Sequence, residues 1–274
     1  MLSGMMQRFL TALVLAPLFI WAIFSLTTPY FSYLLLAFVV LGAWEFSRLI
    51  KITQPINRAL LTLFIVGCTL VANNHAQNLE NLYILLYVSA LWWGLNLFWV
   101  VSYPSHTQTW FGSGIVRSMS GVLLLAPMWV SLISLHAKGD EYFLLLMLLI
   151  WGADSGAYFV GRKFGKRKLA PKVSPGKSVE GVLGGIGFAL IVMLAFLQLQ
   201  GIASEQYFGY LLLTIVVASV SVLGDLFESL FKRESGMKDS GQILPGHGGV
   251  LDRIDSLTAA APFFLLGLNL LNLL

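Results

Sequence analysis

Residues Gly224–Asp255 read GDLFESLFKRESGMKDSGQILPGHGGVLDRID, with an apolar run leading in and another leading out. Into this stretch fall Asp225, Glu228, Lys232, Arg233, Glu234, Lys238, Asp239, His247, Asp252, Arg253 and Asp255. The flanking runs, about 208–230 and 251–273, each have the length that crosses roughly 30 Å of hydrocarbon. The rest is mostly oil: 57% of the 274 residues are hydrophobic and 11% charged. A soluble domain carries about 25% charged residues, so the composition excludes one and predicts a polytopic, all-α integral membrane protein.

Moving outward, apolar runs recur at about 9–27, 30–48, 58–73, 82–101, 115–136, 141–161 and 180–200, giving nine expected spans. The third is the shortest. Arg8 precedes the first run, which is longer than a signal core and lacks a small-residue cleavage site, so it is expected to stay as an anchor. With the N-terminus in the cytoplasm and the C-terminus outside, every Lys and Arg except Lys138 falls on the cytoplasmic side. Basic residues resist translocation, which supports this orientation. The chain divides into 1–110, with about four spans, and a catalytic region 111–274 with cytoplasmic loops 162–179 and 231–250. The single cysteine, Cys68, excludes an internal disulfide.

Several polar groups sit where lipid makes them costly. Asp154, in Trp151-Gly-Ala-Asp154-Ser-Gly-Ala-Tyr158, lies inside an apolar stretch and marks a functional site or its support. The loop Arg162–Lys177 carries seven basic residues and no acid, suited to anionic headgroups. At its end Ser174, Lys177 and Ser178 can donate to phosphate near the start of the seventh helix. Gly176-Lys177-Ser178 is not a P-loop, because Pro171 stands where the first glycine belongs. Gly181, Gly184, Gly185 and Gly187 suit close helix packing.

Asp225 and Glu228 share one helical face. Two neighbouring acids invite a cation, and Mg2+ takes one or two carboxylates plus phosphate oxygens. Asp225 is the expected metal ligand, and Glu228 the expected salt-bridge partner of Lys232 or Arg233. Asp252 and Asp255 share a face at the start of the ninth span. Arg253 can fork onto phosphate, Gly248 and Gly249 allow close backbone approach, and His247 reads as a donor or a local structural residue. Zinc is excluded for want of a second His or Cys nearby.

These elements resemble a known signature. Ser229-x-Phe231-Lys232-Arg233, Lys238-Asp239-Ser-Gly241, Leu244-Pro245-x-His247-Gly-Gly and Asp252-Arg253-Ile-Asp255 are similar to the pattern of phosphatidate cytidylyltransferases. The resemblance is strong from about residue 150 to 262 and extends upstream only in span layout. It implies transfer of CMP from CTP to phosphatidate, giving CDP-diacylglycerol and pyrophosphate. It also implies Mg2+, a monovalent cation such as K+, a homodimer, and a site facing the cytoplasm across the bacterial inner membrane. Membrane lipid is the expected partner and nucleic acid is not. The implied catalytic residues are Asp225, Asp252, Lys232, Arg233, Lys238, Asp239 and Arg253. The implied substrate contacts are Ser174, Lys177, Ser178, His247, Gly248, Gly249 and Asp154, and the implied metal ligands Asp225, Asp252 and Asp255. Two rivals remain: a transporter, whose polar groups would gather near the bilayer midplane, and a CTP-dependent kinase of a prenol, which would release CDP rather than pyrophosphate.

Overall fold

A computed structural model of the chain describes residues 13, 17–105, 112–243 and 248–273. Residues 17–25 are helical (α1). There follow α2 (Thr28–Leu49), α3 (Pro55–His75), α4 (Leu79–Ser102), α5 (Gly114–Lys138) and α6 (Asp140–Phe164). A small hairpin, β1 (Lys168–Ala170) and β2 (Ser174–Ser178), precedes α7 (Val179–Leu199), α8 (Tyr207–Ser235) and α9 (Leu251–Leu270). Helix starts carry ordinary signals: a proline opens α2 and α3, and Asn78, Ser113 and Ser178 cap α4, α5 and α7 through side-chain oxygens. Gly236, in the left-handed region, ends α8.

Among the described residues seven helices, α2 to α8, are long and apolar enough to cross a membrane. The expected third span is a full helix of 21 residues. The first expected span lies partly outside the described residues. The ninth, α9, carries Asp252, Arg253 and Asp255 in its first turns and is not among these seven. Its surroundings explain this. It packs against α2, α4, α5, α6 and α8, and Ala259, Ala260, Ala261, Phe264 and Leu265 are fully buried. A helix wrapped by other helices does not meet lipid and need not be oily all round.

Glycine packing joins α6 to α7. A Cβ at Gly156 would press on the Gly184 carbonyl, and one at Gly185 on the Ala153 carbonyl. The expected packing role thus holds at Gly181, Gly184 and Gly185. At Gly187, among the described residues, nothing outside its own stretch of helix lies within 4 Å of such a Cβ, so no packing role is seen there.

The alternation of helices puts the ends of α2, α4, α6 and α8 together with the starts of α3, α5, α7 and α9. Arg117 at the start of α5 donates to the Ile50 carbonyl just past α2 (3.0 Å). Arg58 near the start of α3 donates to Ser47 and to the Trp44 carbonyl, both at 2.9 Å. At the other end, Tyr210 near the start of α8 donates to the Leu273 carbonyl beyond α9 (2.6 Å).

Candidate active site

The charged residues of the quoted stretch meet where α8 ends and α9 begins. Lys232 lies 2.9 Å from Asp252 and 3.5 Å from Glu228. Asp252 also accepts from the backbone N–H of Ser240 (3.0 Å) and of Gly249 (2.8 Å). The Asp252 side chain thus reaches back to close the turn before its own helix, as the acid of a capping box does. Glu228 is buried, and among the described residues neither of its carboxylate oxygens has a hydrogen-bond partner. A buried carboxylate with only an ion pair 3.5 Å away is a costly arrangement.

A second pair lies one turn earlier on α8. Lys177 of β2 sits 2.6 Å from Asp225, and Ser229 donates to the same carboxylate (3.2 Å). Asp154 of α6 is in electrostatic reach of Lys177, Asp225 and Arg253. Asp255 accepts from its neighbour Ser256 N–H (2.6 Å) and feels the charges of Asp225 and Lys232. The two helices come this close because residue 224 is glycine. A Cβ there would meet the Asp255 carbonyl at 2.5 Å, tighter than packing allows.

The hairpin forms the lip of this cluster. Arg233 donates to the Val173 carbonyl (3.0 Å), tying α8 to the hairpin turn. Glu180 accepts from Lys166 and Arg167 backbone N–H groups and pairs with the Arg167 side chain at 3.0 Å, fastening the loop to α7. Ser174 and Lys177 therefore stand on a strand, not on the helix start, while buried Ser178 is spent on capping α7. Lys238, Asp239 and Arg253 are exposed at the same end. Gly248 takes a left-handed conformation and lies against Asp252 and Asp239. His247, with Leu244, Pro245 and Gly246, lies outside the described residues.

One residue was missed. Glu45 of α2 is 1% exposed, yet it accepts from Leu251 N–H (2.8 Å) and Ser240 hydroxyl (3.3 Å), 206 and 195 residues further along the chain. It satisfies the first backbone donor of α9. Gly241 and Gly249 lie so close that a Cβ on either would collide with its carboxylate. The sequence holds a signal: Glu45 is an acid within an apolar run, the same feature that marks Asp154.

Among the described residues, no three Asp, Glu, His or Cys side chains group closely enough to hold a metal by themselves. Asp225, Glu228, Asp252 and Asp255 are instead each matched with a cation or a backbone donor. An anionic ligand arriving here can draw Lys177 and Lys232 away from their acids, leaving the carboxylates to a metal.

The whole chain, residues 6–271, matches the model of the cytidylyltransferase family. The chain belongs to the cytidylyltransferase family. This family member is an enzyme of the nucleotidyltransferase class. It is 44% identical to a phosphatidate cytidylyltransferase of Haemophilus influenzae, over 94% of this chain and 96% of the relative. It is equally identical, at 44%, to one of Pseudomonas aeruginosa over 94% of each chain. The Bacillus subtilis relative of the same name is 34% identical over 96% of this chain and 98% of its own. The resemblance noted as strong from about residue 150 to 262 therefore extends across all the helices. In this cytidylyltransferase the N-terminal half joins the site physically, through Glu45.

Proposed function

We propose that the chain transfers the cytidylyl group of CTP to phosphatidate, forming CDP-diacylglycerol and pyrophosphate. The observation that carries this is the gathering of Asp225, Asp252, Asp255, Lys177, Lys232 and Arg253 at one end of a membrane bundle, in a chain so similar to enzymes of that name.

A phosphate monoester has a second pKa of about 6, so the attacking phosphate of phosphatidate is a dianion at neutral pH and needs no strong base. One of its oxygens attacks the α-phosphorus of CTP. The bond from that phosphorus to the bridging oxygen breaks, and pyrophosphate leaves with the electron pair. The obstacle is repulsion between two polyanions. Lys177, Lys232, Arg233 and Arg253 lower it by pairing with phosphate oxygens, and Lys238 stands exposed to receive the leaving group. Asp239, beside Gly248, positions the loop.

The donor set fits Mg2+. It is all hard carboxylate oxygen, and the buried oxygens of Glu228, which among the described residues have only the Lys232 ion pair at 3.5 Å, add further acceptors. Asp225, Asp252 and Asp255 are the ligands we assign, one or two of them at a time, with phosphate oxygens completing the set. Asp225 has the most spare capacity, since Asp252 already accepts from Lys232, Ser240 and Gly249. Bound there, Mg2+ supplies neutralisation of phosphate charge. A monovalent cation such as K+ fits the same oxygen-rich end. The excess of basic residues there supports a site at the cytoplasmic face; the bacterial inner membrane is the location, and a homodimer the assembly, that we expect.

The test uses purified protein with CTP labelled at the α-phosphate, phosphatidate and Mg2+. Label in a lipid-soluble liponucleotide with release of pyrophosphate is expected. Release of CDP, or label remaining in CTP, would overturn the proposal.

A further inference from the structure

Between α4, the hairpin, α7 and α8 runs a groove of about 390 Å3. Its volume lies within the roughly 300–1,000 Å3 of small-molecule sites. The walls are apolar: Val100 from α4, Leu169 and Val173 from the hairpin, Val182 from α7, and Val222 and Leu226 from α8. Ser219, an exposed residue that also lines the groove, spends its hydroxyl on the Ile215 carbonyl (2.7 Å).

Three features identify what such a groove takes. First, α4, α7 and α8 are all long and apolar enough to span, so the groove lies among spans. It follows α8 from Ser219 to Leu226, about 10 Å along the helix axis, the direction in which lipid chains lie. Second, it opens sideways past Leu97 and Val101, which are 52% and 77% exposed. Third, its upper rim is polar and cationic. Lys172 and Tyr103 line it, and Arg233 holds the adjoining Val173 carbonyl. Burial and then the neighbouring Glu234 carboxylate raise the pKa of Tyr103, keeping its hydroxyl a neutral donor. Asp225 and its partner Lys177 lie one turn beyond Val222.

We propose that this groove seats one acyl chain of the phosphatidate substrate, entering from the lipid between α4 and α8, with the headgroup on Lys172 and reaching toward Lys177. The proposal rests on the cytidylyltransferase reading above. Lipid tails are as apolar as the groove, so seating a chain there adds little affinity through the hydrophobic effect. Its effect is to fix the register of the phosphate against the reacting end, which shows in rate.

The experiment compares dioleoyl phosphatidate with short-chain dihexanoyl phosphatidate in detergent solution, for wild type, Ser219→Trp and Val222→Trp. Filling the groove is expected to lower kcat/KM for the dioleoyl lipid by about tenfold or more, while dihexanoyl phosphatidate and the KM for CTP change by less than about twofold. Equal loss on both lipids, or loss on neither, overturns the proposal. Should a tryptophan variant not fold, wild-type protein decides. A phosphatidate bearing a photoreactive group at the chain end is expected to label residues 97–103 or 219–226, and labelling confined elsewhere overturns it. Absence of liponucleotide from either lipid with the wild type is a different failure, that of the proposed reaction itself.

Discussion

The two ends of this bundle hold the same helices together by different means. At one end Tyr210 donates to the Leu273 carbonyl, Gln198 to Tyr207, and the His136 ring contacts Thr28 and the Ile23 carbonyl. These are hydrogen bonds with an Asp140–His136 contact of 3.5 Å beside them. At the other end, Glu45 and Glu228 are buried, and Lys232, Asp252, Lys177 and Asp225 form ion pairs. Burying charge is costly, and a hydrophobic contact of similar volume often serves stability as well. The first end shows that these helices can be joined without it. On the proposed reading the charges at the second end are there for chemistry, and each part of the contrast can be tested.

The largest expected effect is on turnover. Asp225→Asn keeps the shape but removes the charge facing Lys177, and turnover should fall by about a thousandfold or more with protein still in the membrane. A steady-state assay of pyrophosphate release checks it. Next is Lys232→Ala, which leaves Glu228 and Asp252 as uncompensated acids. It should lose about 3–5 kcal/mol of stability along with activity, seen in a thermal melt in detergent. Glu45→Gln is milder. The Leu251 N–H and the Ser240 hydroxyl both meet Oε2, which the amide oxygen can replace, but the two bonds lose their charge, so a loss of about 1–3 kcal/mol is expected. It should also make residues 240–250 more open to limited proteolysis. Smallest is Tyr210→Phe, at the opposite end. Deleting one hydroxyl should cost about 1 kcal/mol in the melt while turnover stays within about twofold. Equal loss of turnover in Tyr210→Phe and Asp225→Asn would erase the distinction between the ends.

What the residues alone reveal follows from the range of each interaction. Span positions were legible because a bilayer demands about twenty apolar residues, and α2 to α8 lie within a few residues of the expected runs. The Glu228–Lys232 pair was legible because it is local, one turn apart on one helix. The hairpin was not. Residues 168–178 carry two prolines and three lysines, no alternating pattern, and an irregular register, so nothing in them announces a strand. Nor was the partner of Asp225: Lys177 lies 48 residues away, beyond the reach of spacing rules. Glu45 shows the limit most clearly. Its isolation in an apolar helix marks it as unusual, but only the packing of α2 on α9 shows that it holds the loop whose polar residues dominate the sequence.

The central claim is that Asp225 and its neighbours hold Mg2+ against the phosphates, and the direct measurement is a Mg2+ titration of pyrophosphate release by wild type and Asp225→Glu. Glutamate keeps the charge but displaces the carboxylate, so the Mg2+ concentration for half-maximal rate should rise by about tenfold or more. An unchanged Mg2+ dependence alongside a lowered rate would contradict the claim and leave Asp225 only as the partner of Lys177.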